Sequence, residues 1–213
     1  MRQILVYADS LSWGIVPDTR QRLGFTERWP GALELELNRR EQKVRVIEDC
    51  LNGRRTVWDD PFKPGRNGLA GLGQRIESLS PLSLVVLLLG TNDFQSMHSN
   101  DAFLSAQGIA ALVKAIRQAP IEPGMPVPPI LIVCPPAITE PKGAVAAKFH
   151  GSARKSVGLA AAYRAVAAEL GCEFFDAGTV VSSSKIDGIH LDAPEHLALG
   201  KALAEVIAAL PLG

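Results

Sequence analysis

An aspartate and a histidine near the end of the sequence have the spacing of a general-base pair. The chain has four histidines, and only His190, in the string DGIHLD, has an acidic residue three positions before it. A carboxylate at Asp187 can fix the tautomer of that imidazole and stabilise its cation. A surface loop is the alternative, because a lone pair of this kind is a weak signal.

A serine near the start of the chain is a candidate nucleophile for such a base. Ser10 directly follows an apolar run, in the string ADSLSWG. A serine at a strand-to-helix turn has its own backbone N–H free to stabilise an oxyanion. The alternative is a helix cap, a common role for serine.

Two further turns supply candidate oxyanion donors. Gly53, in LNGRR, has a backbone N–H, and Asn92, in LGTND, has a side-chain amide. Both segments also contain ordinary turn-forming residues, so simple turns are the alternative. Together with Ser10, Asp187 and His190 they provide every group that acyl transfer needs, and they predict a serine hydrolase site.

The elements that must position these groups are visible as apolar runs. Continuous runs rich in Val, Ile and Leu are typical of buried parallel strands, and helical spacing separates them. This alternation predicts a three-layer α/β/α fold, with any ligand site beyond the carboxyl ends of the strands. The five runs are Ile4 to Tyr7, Val44 to Ile47, Leu84 to Leu89, Ile130 to Val133 and Glu173 to Phe175.

Four apolar stripes predict helices between and after the strands. Asp192, with Pro194 and Glu195, predicts the capped start of the last helix, and Gly171 predicts a left-handed helix end. The stripes comprise Trp29, Ala32, Leu33 and Leu37; Phe103, Ile109, Leu112, Val113 and Ile116; Leu159, Ala162, Val166 and Leu170; and Leu197, Leu199, Leu203 and Ile207.

Composition limits the function classes. The 213 residues suit a single domain, 1–213, and 22 basic residues against 22 acidic ones give no reason to expect nucleic acid as a partner. The apolar runs are too short to cross a membrane. A basic cluster including Lys148 is interpreted as a solvated face. Three cysteines without paired spacing indicate reduced thiols and a cytoplasmic protein.

The four blocks around Ser10, Gly53, Asn92 and His190 resemble those of the SGNH (GDSL-type) hydrolases. The strings DSLSWG, ERWPGAL, LGTNDF, FFDAG and DGIHLD are similar to the bacterial arylesterase and acyltransferase branch. The resemblance implies a flavodoxin-like fold with a five-stranded parallel sheet, no metal or organic cofactor, short-chain aryl or alkyl esters as substrates, and a homo-oligomer whose neighbouring loops narrow the site entrance.

One residue departs from this family pattern. Ala8 stands where a glycine usually precedes Asp9. The change is harmless if the backbone there has a negative φ, since only a left-handed conformation favours glycine. Asp9 itself is expected to brace the turn by accepting backbone N–H bonds.

Several aromatic and apolar residues are candidates for the wall of the substrate pocket. Core or interface packing is the alternative for each of them. Arg54 is a candidate for binding a substrate carboxylate or for bracing its own loop. The candidate wall residues are Trp13, Ile15, Trp58 and Phe94.

The sequence thus favours a serine esterase acting through an acyl-enzyme, with acyltransfer or perhydrolysis as side activities. A carbohydrate acetyl esterase of the same fold is the main alternative. A third hypothesis has Asp187, His190 and Asp192 binding a metal, or a binding module without activity. It leaves Gly53 and Asn92 unexplained.

Overall fold

The five apolar runs form the strands of one parallel sheet. The computed structural model describes residues 1–212, and within them the strand order is β2-β1-β3-β4-β5. All the pairings are parallel, which confirms the predicted α/β class. The strands are β1 (Arg2–Ala8), β2 (Val44–Cys50), β3 (Leu84–Leu88), β4 (Ile130–Cys134) and β5 (Glu173–Asp176).

Helices cover both faces of this sheet. Helices α3, α4 and α6 pack on one face, and α2 and α7 pack on the other, so the three layers are those predicted. The helices in residues 1–212 are α1 (Ser10–Trp13), α2 (Trp29–Arg39), α3 (Leu72–Leu79), α4 (Ala102–Arg117), α5 (Ser152–Lys155), α6 (Leu159–Leu170) and α7 (Ala193–Ala208).

The central strand β1 illustrates why the sheet is buried on both sides. Successive side chains of a strand point to opposite faces. Ile4 and Val6 pack in the core beside α2 and α7, whereas Leu5 and Tyr7 pack in the core beside α4 and α6. A strand that is buried on both faces therefore has a continuous apolar run in the sequence.

The helical stripes are confirmed in the main, with two corrections. Phe103, which was expected to be buried, lies in the first turn of α4 and is 63% exposed. Helix α3 was missed because it is short and buries only Leu72 and Ile76 among its eight residues.

Of the two predicted helix ends, the end of α6 is confirmed and the cap of α7 is not. Gly171 ends α6 in the left-handed conformation, with φ 59° and ψ 47°. Asp192 precedes α7 as expected, but its side chain makes no capping bond to that helix. Its Oδ1 instead accepts a hydrogen bond of 2.8 Å from the Ser184 hydroxyl.

Two further observations concern the described residues as a whole. No helix in residues 1–212 has the length and apolar character required to cross a membrane. Cys50, Cys134 and Cys172 all carry free thiols.

Strand register brings the segments that follow β1, β2 and β3 to one edge of the sheet. Ala8, the last residue of β1, pairs with Cys50 of β2 on one side and with Leu88 of β3 on the other. The chain leaves these three strands at the same level, so Ser10, Gly53 and Asn92 follow from neighbouring points on the sheet.

Candidate active site

The turn between β1 and α1 places Ser10 at a helix N-terminus. Asp9 caps the helix, and its Oδ1 accepts a 2.9 Å hydrogen bond from the Leu11 N–H. Ser10 is the first helical residue, so its own N–H has no acceptor within the helix. Ala8 lies in β1 and does not have a positive φ, so the usual glycine is not required there.

The imidazole of His190 contacts both Ser10 and Asp187. Its Nε2 lies 3.2 Å from the Ser10 Oγ, although the two residues are 180 positions apart. Its Nδ1 lies 2.6 Å from the Asp187 Oδ2. With a proton on Nδ1 donated to the carboxylate, Nε2 is free to accept the serine hydroxyl proton. The three side chains therefore have the arrangement expected of a nucleophile, a base and an acid.

The Asp187 carboxylate is held in its ionised form. Burial alone would raise its pKa, but the hydrogen bond and charge of His190 outweigh burial and lower the pKa to about 2. The backbone N–H groups of Ile189 and His190 add to this effect, each donating to Oδ1 at 2.9 Å. A carboxylate satisfied in this way stabilises an imidazolium without taking its proton.

The loop carrying this pair is braced by the segment after β4. Gly188 has a left-handed φ of 77°, and a Cβ there would lie 2.3 Å from the Glu140 carbonyl oxygen. The Thr139 N–H donates to the Gly188 carbonyl at 3.0 Å. The proline-rich loop 135–143 thus fixes the backbone between Asp187 and His190.

Asn92 is oriented by two buried side chains. Its Nδ2 donates to the Asp9 Oδ2 at 2.9 Å, and its Oδ1 accepts from the Gln95 Nε2 at 2.7 Å. An amide nitrogen has two N–H groups, so one remains for an oxyanion. Asn92 lines the same cleft as Ser10 and His190.

Gly53 faces that cleft from the turn after β2. It has a left-handed φ of 86°, and the Arg54 N–H closes the turn on the Leu51 carbonyl at 2.9 Å. Within residues 1–212, no acceptor is found for the backbone N–H of Gly53 or of Ser10. The structure brings Ser10, Gly53 and Asn92, the residues predicted to supply oxyanion donors, to one cleft.

Asp93 joins the two turns that carry these donors, a role not predicted from the sequence. Its carboxylate accepts the Thr56 N–H at 2.9 Å, the Thr56 hydroxyl at 2.8 Å and the Ser105 hydroxyl at 2.7 Å. Burial raises the pKa of Asp93 to about 6, against these hydrogen bonds and the charge of Arg55. The only sequence signal was an acid directly after Asn92.

The cleft above Ser10 has a volume of about 250 Å³. Ile15 is the one proposed wall residue among those that line it. Lys148, interpreted from sequence as part of a solvated face, also lines it. The remaining lining residues are Asp18, Thr19, Arg20, Asn52, Gly53, Lys63, Asn92, Ala144, Val145, Phe149, Asp187 and His190.

The other proposed pocket residues do not line this cleft, which corrects the prediction for Trp13, Arg54, Trp58 and Phe94. The Arg54 guanidinium is buried and donates to the Ala8 carbonyl at 3.0 Å and to the Asp49 Oδ1 at 2.7 Å, so it braces the ends of β1 and β2.

Trp13 and the two other aromatic residues have packing roles. The Arg22 guanidinium lies over the Trp13 ring, with its Cζ 4.9 Å from the ring centroid. Phe94 is fully buried in the core and borders a separate cavity with Cys134. Trp58 packs near His98, with ring centroids 6.4 Å apart.

Comparisons with known proteins agree with this arrangement. A model of the GDSL-like lipase/acylhydrolase family matches residues 9–198. The M. smegmatis aryl esterase structure is 34% identical, with a TM-score of 0.93 over 99% of this chain and 100% of that chain. No curated protein matches the sequence.

Two structures from Sinorhizobium meliloti resemble this chain about as closely as the aryl esterase does. A carbohydrate acetylesterase is 34% identical, with a TM-score of 0.92 over 98% of this chain and 99% of that chain. A carbohydrate acetylesterase family member is 38% identical, with a TM-score of 0.90 over 97% of both chains.

Proposed function

Because the chain belongs to the GDSL-like lipase/acylhydrolase family, we propose that it hydrolyses short-chain carboxylic esters through an acyl-enzyme on Ser10. The observation that carries the proposal is the continuous contact from Ser10 through His190 to Asp187, at 3.2 Å and 2.6 Å. Short acyl groups and small aryl or alkyl alcohols suit a cleft of about 250 Å³.

In the acylation step, Ser10 Oγ forms a bond to the ester carbonyl carbon while His190 Nε2 takes the hydroxyl proton. The carbonyl electron pair moves to oxygen, where the N–H groups of Ser10 and Gly53 and the amide of Asn92 stabilise it. The intermediate collapses, the carbon–oxygen bond to the alcohol breaks, and His190 returns its proton to the departing oxygen.

In the deacylation step, His190 takes a proton from water as the water oxygen bonds to the acyl carbon. Collapse of the second intermediate breaks the bond to Ser10 Oγ, and His190 protonates that oxygen. An alcohol in place of water gives an ester, and hydrogen peroxide gives a peracid. These are the acyltransferase and perhydrolase side activities that we include in the proposal.

The assay that tests the proposal compares Ser10→Ala with wild type on p-nitrophenyl acetate. We expect kcat to fall at least about 1,000-fold, since removal of the nucleophile leaves only the oxyanion donors and binding. Ser78→Ala, at an exposed position on α3, is the matched control and should retain full activity. Activity of Ser10→Ala within tenfold of wild type would overturn the proposal.

A carbohydrate acetyl esterase is the second candidate. It is favoured by the polar part of the cleft, where Asp18, Thr19 and Asn52 offer hydrogen-bonding groups suited to sugar hydroxyls. Release of acetate from acetylated xylan faster than from p-nitrophenyl acetate would select it over the aryl esterase.

We also propose that the protein forms a homo-oligomer. Phe62 is 83% exposed in the loop that carries Lys63 into the cleft. An exposed aromatic side chain is a common anchor of protein interfaces. Phe62→Asp is expected to lower the mass measured by light scattering, and a monomeric wild type would contradict the proposal.

The proposal places the protein in the cytoplasm. The three free thiols support this location, because reduced cysteines persist in a reducing compartment. Detection of the protein in the soluble cytoplasmic fraction of its source cells would test it, and recovery from outside those cells would contradict it.

A further inference from the structure

Three cationic side chains line the cleft beside the candidate triad. Arg20 comes from the loop after α1, Lys63 from the loop between β2 and α3, and Lys148 from the segment between β4 and α5. Three segments that are distant in sequence thus bring positive charge to one small cleft. None of these cations is required by the acyl-transfer steps described above.

Within residues 1–212, none of these cations forms a salt bridge. In the described part of the chain, no carboxylate lies within 4.0 Å of the charged atoms of Arg20, Lys63 or Lys148. The Lys148 Nζ lies 6.0 Å from the Phe149 ring centroid.

The carboxylates near the cleft are mostly committed to other partners. Asp187 contacts His190, and Asp60 is paired with the Arg55 guanidinium at 3.0 Å. Asp18 is the remaining acid of the cleft wall. With Asp18 and Asp187 both ionised and His190 neutral, the three cations still give the wall an excess of one positive charge.

The cations are close enough to influence one another. Burial lowers the pKa of Lys63, and the charges of Arg66 and Arg20 lower it further, while the Asp60 carboxylate opposes the shift. Burial also lowers the pKa of Lys148, and the positive charge of Arg55 lowers it further. The Asp60 carboxylate opposes this shift, whereas Lys63 and Arg20 add to it. Like charges that repel one another in a partly desolvated cleft are stabilised by a bound anion.

We propose that the preferred esters carry an anionic group, a carboxylate or phosphate, that Arg20, Lys63 and Lys148 bind. This inference rests on the proposed esterase function, because it assigns the substrate class of the same site. The cations share the cleft with Ser10 and Asn92, so the anionic group belongs to the ester that is cleaved.

Two matched substrate pairs test the inference. The first compares 4-nitrophenyl hemisuccinate with 4-nitrophenyl butyrate and places the charge on the acyl side. The second compares 4-acetoxybenzoate with its methyl ester and places the charge on the leaving group. After subtraction of the uncatalysed rate, kcat/KM is expected to favour the anionic member of at least one pair by tenfold or more, mainly through a lower KM.

Variants and salt identify the source of that preference. In the combined variant Arg20→Gln, Lys63→Gln and Lys148→Gln, the ratio of anionic to neutral kcat/KM should fall at least tenfold. Lys201→Met, at an exposed position on α7, should retain the wild-type ratio. In wild type the ratio should also fall as ionic strength rises, because salt screens exposed charges. This measurement needs no variant to fold.

The outcomes separate the two proposals. A neutral preference in both pairs, or a preference for the anion that neither the variant nor salt reduces, would overturn the anionic substrate class while leaving the esterase intact. Failure to hydrolyse any of the four esters, or hydrolysis that persists in Ser10→Ala, would overturn the esterase function itself.

Discussion

Asp9 lies beside the candidate nucleophile Ser10, yet its carboxylate contacts the candidate oxyanion donor Asn92 instead of His190. One oxygen accepts the Leu11 N–H and the other accepts the Asn92 amide, both at 2.9 Å. Burial raises the pKa of Asp9 to about 6, while the Leu11 bond, the His190 charge and the Asn92 bond oppose that shift. Asp9 is therefore a positioning residue for Asn92.

Asp9→Asn tests this role. An amide at this position must turn a donor toward either Leu11 N–H or Asn92, so one of the two hydrogen bonds is lost. We expect kcat to fall by about 10- to 100-fold with little change in KM, and Asn92→Ala to cost about 100- to 1,000-fold.

A double-variant cycle supplies the control. If Asp9 acts through Asn92, the combined variant should be no slower than Asn92→Ala alone. Losses that simply multiply would show instead that Asp9 acts independently of the amide.

Residue types and spacing were sufficient to predict which groups meet at the candidate site. Ser10, Gly53, Asn92 and His190 follow strand ends, and parallel strands bring their ends to one edge. The direction of a side chain was not predictable in the same way. Arg54 follows Gly53 directly but points back beneath β1, because the Ala8 carbonyl and Asp49 offer it buried acceptors.

At the scale of elements, α2 and α7 pack closely because of a glycine. A Cβ on Gly200 would lie 2.8 Å from the Ala32 Cβ and 2.9 Å from the Trp29 carbonyl oxygen. One turn earlier, His196 Nδ1 accepts the Trp29 N–H at 3.2 Å, and burial followed by the His190 charge lowers the pKa of His196 to about 4. A neutral His196 thus joins the helix that follows the His190 loop to its neighbour.

Gly200→Ala and Gly73→Ala form a matched pair of helix substitutions. Gly200→Ala is expected to destabilise the protein by about 1–3 kcal/mol, because the added methyl group overpacks the contact between two helices. In α3 the nearest atom to a Cβ on Gly73 would be the Pro120 Cδ at 3.9 Å. Gly73→Ala should therefore stabilise the protein by about 0.5–1 kcal/mol. Urea denaturation measures both, and equal effects would contradict the packing argument.

The elements that bury many apolar residues were predicted, and those that bury few were not. The five strands were visible because each central run packs on both faces of the sheet. Helix α3 was missed since Leu72 and Ile76 alone give too short a stripe. Phe103 misled the prediction because periodicity indicates a helix face without fixing where the helix begins.

At the scale of the molecule, the buried network around Asp93 makes folding sensitive to pH. The pKa of Asp93 is raised from 3.8 to about 6 in the folded protein, mainly by burial. The folded state therefore favours the protonated carboxyl of Asp93. The protonated carboxyl stabilises the fold below about pH 4, and this stabilisation is lost as pH rises through 6. Two pKa units correspond to about 3 kcal/mol.

Unfolding curves of wild type and Asp93→Asn between pH 4 and pH 7.5 test this dependence. The stability of wild type relative to the variant should decrease by about 2 kcal/mol over that range, because the amide does not ionise. Asp59→Asn, at an exposed position, is the control and should follow wild type. A difference between Asp93→Asn and wild type that does not change with pH would contradict the account.

The cleft charge also belongs to this scale, and sequence alone did not reveal it. Arg20, Lys63 and Lys148 are separated along the chain and carry no motif. Only the folding of three loops over the sheet edge brings them to one cleft. The single-domain organisation of residues 1–213 stays a prediction.

The most direct test of the account is covalent labelling with a fluorophosphonate probe, followed by proteolysis and mass spectrometry. The account predicts one phosphonyl group per chain, on the peptide containing Ser10, with slow labelling in His190→Ala and none at that peptide in Ser10→Ala. A label on a different residue, or no label on an enzyme that still hydrolyses p-nitrophenyl acetate, would contradict Ser10 as the nucleophile.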